Sequence, residues 1–182
     1  MSRLAFGQPL GGISQFAYVV EDIQRTMSDF TATFGIGPWF VRERFQPPDG
    51  RYRGAATDPV LSLARAFSGH AMIELIQQHD DQPSVFHEGP GPRRFGFHHW
   101  AVMTKTIDED LARLFARGYE EAFSDRLPSG SRVVYVDTSP VLPGMVELIE
   151  HTPAQELMYT RIYEAAIEWD GRSLRSKPGT RL

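Results

Sequence analysis

The sequence predicts an α+β fold made of two equivalent βαβββ units followed by a C-terminal helix. Three observations carry that expectation. Met72-Ile73-Glu74-Leu75-Ile76-Gln77 returns with conservative changes as Met145-Val146-Glu147-Leu148-Ile149-Glu150. Gln15-Phe16-Ala17-Tyr18-Val19 maps onto His99-Trp100-Ala101-Val102-Met103 at an offset of 84 positions. At the same offset, Ile23, Met27 and Phe30 map onto Ile107, Leu111 and Leu114, and both triplets run i, i+4, i+7, the stripe of an amphipathic helix. The Glu74 and Glu147 strands are separated by 73 positions rather than 84, so the second unit has shorter connections.

The first unit, 13–78, opens with a strand over 13–20. Asp22 is a residue type that caps a helix start, and Gly35 is a stop signal, which places a helix over 22–34. The apolar, aromatic run 38–45 reads as a strand broken by Pro47, Pro48, Asp49 and Gly50. Residues 51–59 read as a loop, and 60–67 and 71–77 as a hairpin turned at Ser68-Gly69-His70. A linker over 79–95 is rich in Gly and Pro. The second unit, 96–151, gives strands near 97–103, 119–124, 132–138 and 145–151, with a helix over 107–117 started by Thr106 and stopped by Gly118. Met158, Ile162, Ala165 and Trp169 then form a helical stripe outside the repeat, suited to covering the sheet or lining a pocket.

The chain has 182 residues, enough for one well-cored domain or two small units sharing a core. A formal net charge of −4 argues against a nucleic-acid partner, which would select a basic face. The basic clusters are local: Arg42 and Arg44, Arg51 and Arg53, Arg93 and Arg94, and the tail Arg172, Arg175, Lys177 and Arg181. They read as solvated charges, or as one pair meeting an anionic substrate group. Cysteine is absent, so disulfides, thiolate ligands and cysteine nucleophiles are excluded, and any metal must be held by His, Glu, Asp or Gln. The start of the chain has no signal-peptide pattern and no run is long enough to span a membrane, so a soluble, cytoplasmic protein with no membrane partner is expected.

A carboxylate inside an apolar strand ordinarily faces solvent, because burying it uncompensated is costly. Here the anomaly occurs twice at equivalent positions, Glu74 and Glu147, and each unit also offers a polar donor on its first strand, Gln15 and His99. An internal duplication places equivalent strands about a pseudo-twofold axis, which brings these four oxygen and nitrogen donors towards one another. The neighbouring His98 is a competitor expected on the opposite face of its strand.

These segments resemble the vicinal oxygen chelate superfamily, which includes glyoxalase I, methylmalonyl-CoA epimerase, extradiol dioxygenases and bleomycin or fosfomycin resistance proteins. The resemblance is carried by Gln15 to Ile23, Phe34-Gly35-Ile36-Gly37-Pro38-Trp39-Phe40, Met72 to Ile76, Gly96-Phe97-His98-His99-Trp100-Ala101-Val102 and Pro143 to Ile149, spanning 13–151. The Gly35 to Phe40 stretch is similar to the glyoxalase-like branch related to methylmalonyl-CoA epimerase.

The resemblance implies that the two units pair into an incomplete barrel around one cavity within a glyoxalase-like domain, 1–152, with 153–182 as C-terminal helix and tail. It implies a metal held by Gln15, Glu74, His99 and Glu147, taken as Zn, Ni, Co, Mn or Mg, and a homodimer. The implied activity is that of a divalent-metal-dependent isomerase, epimerase or lyase. Its substrate would be a small, hydrophobic or aromatic molecule chelated through vicinal oxygens, with metal-stabilised enediolate chemistry and Glu147 or Glu74 as base. The alternatives are a non-catalytic resistance-type binder of hydrophobic molecules, or an Fe(II) dioxygenase using His98 or His99. Epimerases of the family carry a further carboxylate near the third strand, whereas 60–67 contains none and Glu43 is the nearest substitute. No glutathione-binding set is recognisable.

Overall fold

The computed structural model describes residues 2–88 and 95–176. Residues 89–94 of the Gly/Pro-rich linker, including Arg93 and Arg94, lie outside the described residues, as do Lys177 and Arg181. The elements follow the order β1 (Ile13–Val19), α1 (Ile23–Phe34), β2 (Phe40–Phe45), β3 (Arg51–Tyr52), β4 (Ala55–Ala56), β5 (Leu61–Ser68) and β6 (Ala71–Gln78). A short 3-10 turn (Val85–His87) leads into β7 (Gly96–Thr104), α2 (Ile107–Phe115), β8 (Glu120–Arg126), β9 (Arg132–Asp137), β10 (Met145–Glu150) and α3 (Pro153–Ile167).

All ten strands form one sheet in the order β2-β5-β6-β1-β7-β10-β9-β8-β3-β4. Its centre is the antiparallel pair β1 and β7, flanked by parallel β6 and β10, so the first eight positions read the same from either end in terms of the two units. Phe16 faces Trp100, Gln15 faces Ala101 and Ala17 faces His99, which puts the pseudo-twofold axis at the Phe16/Trp100 pair. Each parallel neighbour brings its glutamate beside an alanine of the central pair: Glu74 next to Ala17 and Glu147 next to Ala101.

One sheet face is covered by the helices of the units. Ile23 and Met27 of α1 pack with Trp39, Ala64 and Leu75, and Ile107 of α2 packs with Val134, Val136 and Leu148. The Asp22 carboxylate accepts from the Arg25 N–H at 3.0 Å, and Gly35 closes α1 in the left-handed region (φ 65°). Thr106 does not cap α2 with its side chain. Its hydroxyl is drawn towards Asp110, and the Thr104 hydroxyl accepts the Thr106 N–H at 3.1 Å instead. The other sheet face curls around a cavity, and α3 lies along it, with Tyr159 and Ile162 buried against Phe6, Phe40 and Met103.

Residues 51–59, expected as a loop, instead contain the two-stranded β3–β4 ribbon, and β3 pairs with β8 of the other unit. Two-residue strands carry no readable period, so this cross-unit closure leaves no sequence signature. Trp169 lies beyond the end of α3, with its ring over Gly37, where a Cβ would come within 2.7 Å of it. Among the described residues no helix is long and apolar enough to cross a membrane.

Leu75 and Leu148 are buried at equivalent positions beneath α1 and α2. Leu75→Ala and Leu148→Ala should each lower stability by about 2–5 kcal/mol in urea unfolding, through lost transfer energy and an unfilled cavity. A cost in only one of the two would show that the units do not share one cooperative core.

Candidate metal centre and its cavity

The sheet register assembles the predicted donors as two adjacent cross-strand rows. Arg65, Glu74, Ala17 and His99 form one row, and Gln15, Ala101, Glu147 and Tyr135 the other. The two alanines are fully buried and present only methyl groups, leaving space above them for the flanking long side chains to meet. The ligand atoms of Glu74, His99 and Glu147 lie within 4.8 Å of one another. Gln15 Nε2 is at the middle, donating to Glu74 Oε2 at 3.1 Å and Glu147 Oε2 at 3.3 Å, and 3.3 Å from His99 Nε2. Gln15 Oε1 accepts from the Tyr159 hydroxyl at 2.9 Å. All four side chains belong to one chain, and all four are buried.

His98 does not face away from His99 as strand alternation predicts. Ala17 pairs with His99 and Tyr18 with Phe97, so His98 is the extra residue of a bulge, which turns it to the same side as its neighbour. Ser14 occupies the equivalent bulge in β1. The bulge has a chemical consequence. His98 Nε2 lies 3.0 Å from the Val85 carbonyl, so this nitrogen carries the proton and donates. His98 Nδ1 is then an acceptor and, 2.9 Å away, His99 Nδ1 must donate to it. That leaves the His99 Nε2 lone pair directed at the two carboxylates, 3.3 Å from Glu147 and 3.7 Å from Glu74.

The two glutamates are electrostatically unlike. Arg65 Nε donates to Glu74 Oε1 at 2.6 Å across the β5–β6 pair. The position opposite Glu147 is Tyr135, a neutral donor whose hydroxyl interacts with it. Burial therefore pushes the Glu147 carboxyl up to about 7, against the smaller opposing pull of Arg65 and the Tyr135 hydrogen bond. Burial also drives the imidazoles down, His99 to about 4 and His98 to about 3, so both are neutral at physiological pH. The Tyr135 and Tyr159 hydroxyls are pushed up by burial and stay protonated as donors.

A cation fits this arrangement. Two carboxylate oxygens and an imidazole lone pair converge in a buried space, which is repulsive unless a proton or a cation lies between them. Gln15 turns its Nε2 donor to that point, and an amide flip, which would put Nε2 against the Tyr159 hydroxyl, would present Oε1 to an ion. The residues are those of a mixed O/N site for a borderline divalent ion.

The centre forms the floor of a cavity of about 520 Å³, within the usual range for small-molecule sites. Phe45, Phe86, Phe123, Leu61, Val133 and Met158 supply apolar wall. The aromatic residues adjacent to the donors in sequence largely serve the core: Trp39 and Tyr18 pack under α1, and Trp100 packs on Phe97. Glu43 is turned outward and paired with Arg175. Arg42 lines the cavity and lies over the Phe45 ring, because a register shift in β2 turns both inward. Among the other basic clusters, Arg53 is engaged by Glu88 and Asp137. Arg65, Tyr135 and Tyr159 are site residues that sequence reasoning did not single out. Their signal was available, since Arg65 and Tyr135 are polar groups inside apolar strands.

The chain matches the family model described as glyoxalase/bleomycin resistance protein/dioxygenase superfamily over residues 14–136. Among solved structures it is similar to methylmalonyl-CoA epimerase from Mycobacterium tuberculosis, at 18% identity, covering 86% of this chain and 95% of that one, with a TM-score of 0.57. It is also similar to a Streptomyces coelicolor methylmalonyl-CoA epimerase variant in complex with 2-nitronate-propionyl-CoA, at 17% identity, 80% and 98% coverage and a TM-score of 0.54. A hypothetical protein from Bacillus halodurans gives 16% identity, 78% and 94% coverage and a TM-score of 0.54. No curated protein matches.

Because the Glu147 carboxyl is raised from 4.5 to about 7, the stability it contributes is fully present below pH 4.5 and is lost as pH rises through about 7. Glu147→Gln removes that loss. With chelator present, variant and wild type should show their smallest difference at acid pH, and the variant should gain on the order of 3 kcal/mol relative to wild type by about pH 8. A pH-independent difference in urea unfolding would contradict the assignment.

Proposed function

The chain belongs to the glyoxalase/bleomycin resistance protein/dioxygenase superfamily, and from that premise we propose that it is a divalent-metal-dependent isomerase, epimerase or lyase acting on a small oxygenated substrate. The observation that carries the reading is the convergence of Gln15, Glu74, His99 and Glu147 on one buried point at the cavity floor. These four residues would hold the ion. When bound, a divalent ion supplies Lewis acidity, polarising a substrate carbonyl and acidifying the adjacent C–H.

The residues divide the remaining work. Glu74 is pinned by Arg65 and holds its position. Glu147 lies opposite neutral Tyr135 and has no guanidinium partner, so it is the carboxylate freer to take a proton from carbon and return it. Its environment thus selects it over Glu74 as the base, following the rule that two carboxyls in unlike surroundings take unlike roles. With one such carboxylate at the floor, a single-base proton shift between neighbouring carbons is favoured over inversion by two opposed bases. The charges of Glu74, Glu147, Arg65 and a divalent ion leave one net positive charge, which suits substrate oxygens that gain negative charge as the proton leaves.

Arg65 is the observation on the side of a metal-free binding protein, since it partly neutralises the cluster without an ion. An Fe(II) dioxygenase is not favoured. Both ring nitrogens of His98 are engaged, and the cluster contains one histidine among the described residues.

Elemental analysis and calorimetric titration of the untagged protein test the proposal. One equivalent of Zn, Ni, Co, Mn or Mg is expected, with Glu74→Gln and Glu147→Gln each weakening affinity at least about tenfold. Unchanged affinity in both variants would sink the ligand assignment, and absence of metal binding would leave the hydrophobic binder. His98→Phe should weaken affinity by about 10–100-fold by freeing the His99 tautomer. His98→Gln, which can still accept from His99 Nδ1, should restore part of it.

A further inference from the structure

The cavity contains a second recognition point that the metal centre does not use. Gln155 lies on the first turn of α3, is 1% exposed, and lines the cavity. The Ser129 hydroxyl donates to its Oε1 at 2.8 Å, while its Nε2, beside the Tyr159 hydroxyl, is the one buried side-chain polar atom that completes no hydrogen bond of ordinary geometry among the described residues. An unpaired buried donor is a net cost to folding, and such groups are rare enough to require an explanation.

Its position relative to the donor cluster is set by the helix. Tyr159, whose hydroxyl donates to Gln15, is four residues further along α3, so Gln155 stands one turn, about 6 Å along the helix axis, from the residue that touches the donor cluster. The wall around them is Phe45, Phe86, Phe123 and Met158. Resting on the reading that the floor chelates vicinal oxygens, we infer that the substrate is an aromatic or alicyclic ring compound bearing a third oxygen remote from the chelating pair, and that Gln155 Nε2 donates to it. The rings fill the apolar walls, and the third oxygen satisfies the orphan donor. An occupant without that oxygen would leave the donor buried and unpaired, the kind of mismatch by which polar sites reject analogues.

The test uses two probes of the same shape, 3,4-dihydroxyacetophenone and 4-ethylcatechol, which share the vicinal oxygens and differ by one carbonyl. Calorimetry is run on zinc-loaded and on chelator-treated protein. Wild type should prefer the ketone by about tenfold, and Gln155→Leu should lose ketone affinity by about tenfold while holding 4-ethylcatechol within about twofold. Gln155→Glu, which replaces the donor by an acceptor, should disfavour the ketone further. Because the substitution removes an unpaired donor, Gln155→Leu should melt no lower than wild type. Failure of wild type to bind the ketone, an equal change for both probes, or a lower melting point with no selective change would overturn the inference. Zinc titration of wild type and Gln155→Leu should give equal affinities. If wild type takes up no zinc, the metal reading falls, and the ketone preference of chelator-treated protein still decides the role of Gln155.

Discussion

The energetic constraint that organises this protein is the burial of two carboxylates beside an imidazole lone pair. Each would be strongly unfavourable alone in a solvent-excluded space. The fold keeps them there by giving each member of the cluster a polar neighbour, with Arg65 on Glu74, Tyr135 beside Glu147, Tyr159 on Gln15 and His98 on His99. That network is built outward from the β1–β7 pair. The central strands contribute alanines where bulk would separate the donors, and residues two positions away contribute the donors themselves. Substituting one member therefore disturbs the others, which is why the assignments are best probed by affinity and pH dependence rather than by loss of activity alone.

Duplication supplies the geometry, and departures from it supply the chemistry. The twofold relation delivers two equivalent glutamates, and a symmetric site would give them equal proton affinities. Arg65 and Tyr135 occupy equivalent cross-strand positions yet differ in charge, so one carboxylate is paired with a guanidinium while the other is raised towards neutrality. The paired bulges diverge in the same way. Ser14 satisfies a backbone carbonyl of the partner strand, whereas His98 relays a hydrogen bond from Val85 to His99 and fixes which nitrogen faces the site. Symmetry brings the groups together, and asymmetry assigns them distinct roles.

The same distinction explains what the sequence could reveal. The repeat made Gln15, Glu74, His99 and Glu147 legible because each stands out from an apolar strand at an equivalent register, and the helices under the sheet were legible from their spacing. Alternation misplaced His98 because a bulge depends on pairing register, which one strand's sequence does not encode. The β3–β4 ribbon was hidden because its strands are too short for a period and pair across the units. Thr106 has the right chemistry for a cap, but a nearby Asp110 competes for its hydroxyl. Arg65 and Tyr135 could have been found by asking what lies across from each glutamate once the hairpins were drawn.

The part of the cavity that sets specificity lies where the repeat ends. α3 has no counterpart in the duplicated units; Ile162 and Ala165 of its readable stripe pack in the core with Tyr159, while Met158 lines the cavity beside Gln155 and Tyr159. A polar residue on a buried helix face looks like noise in periodicity, yet here one such residue completes the network at Gln15 and the other is left unpaired above it. In this chain the helix places a tyrosine hydroxyl on the donor cluster and an amide one turn away, tying the chemistry of the floor and the length of the occupant to the same rigid element.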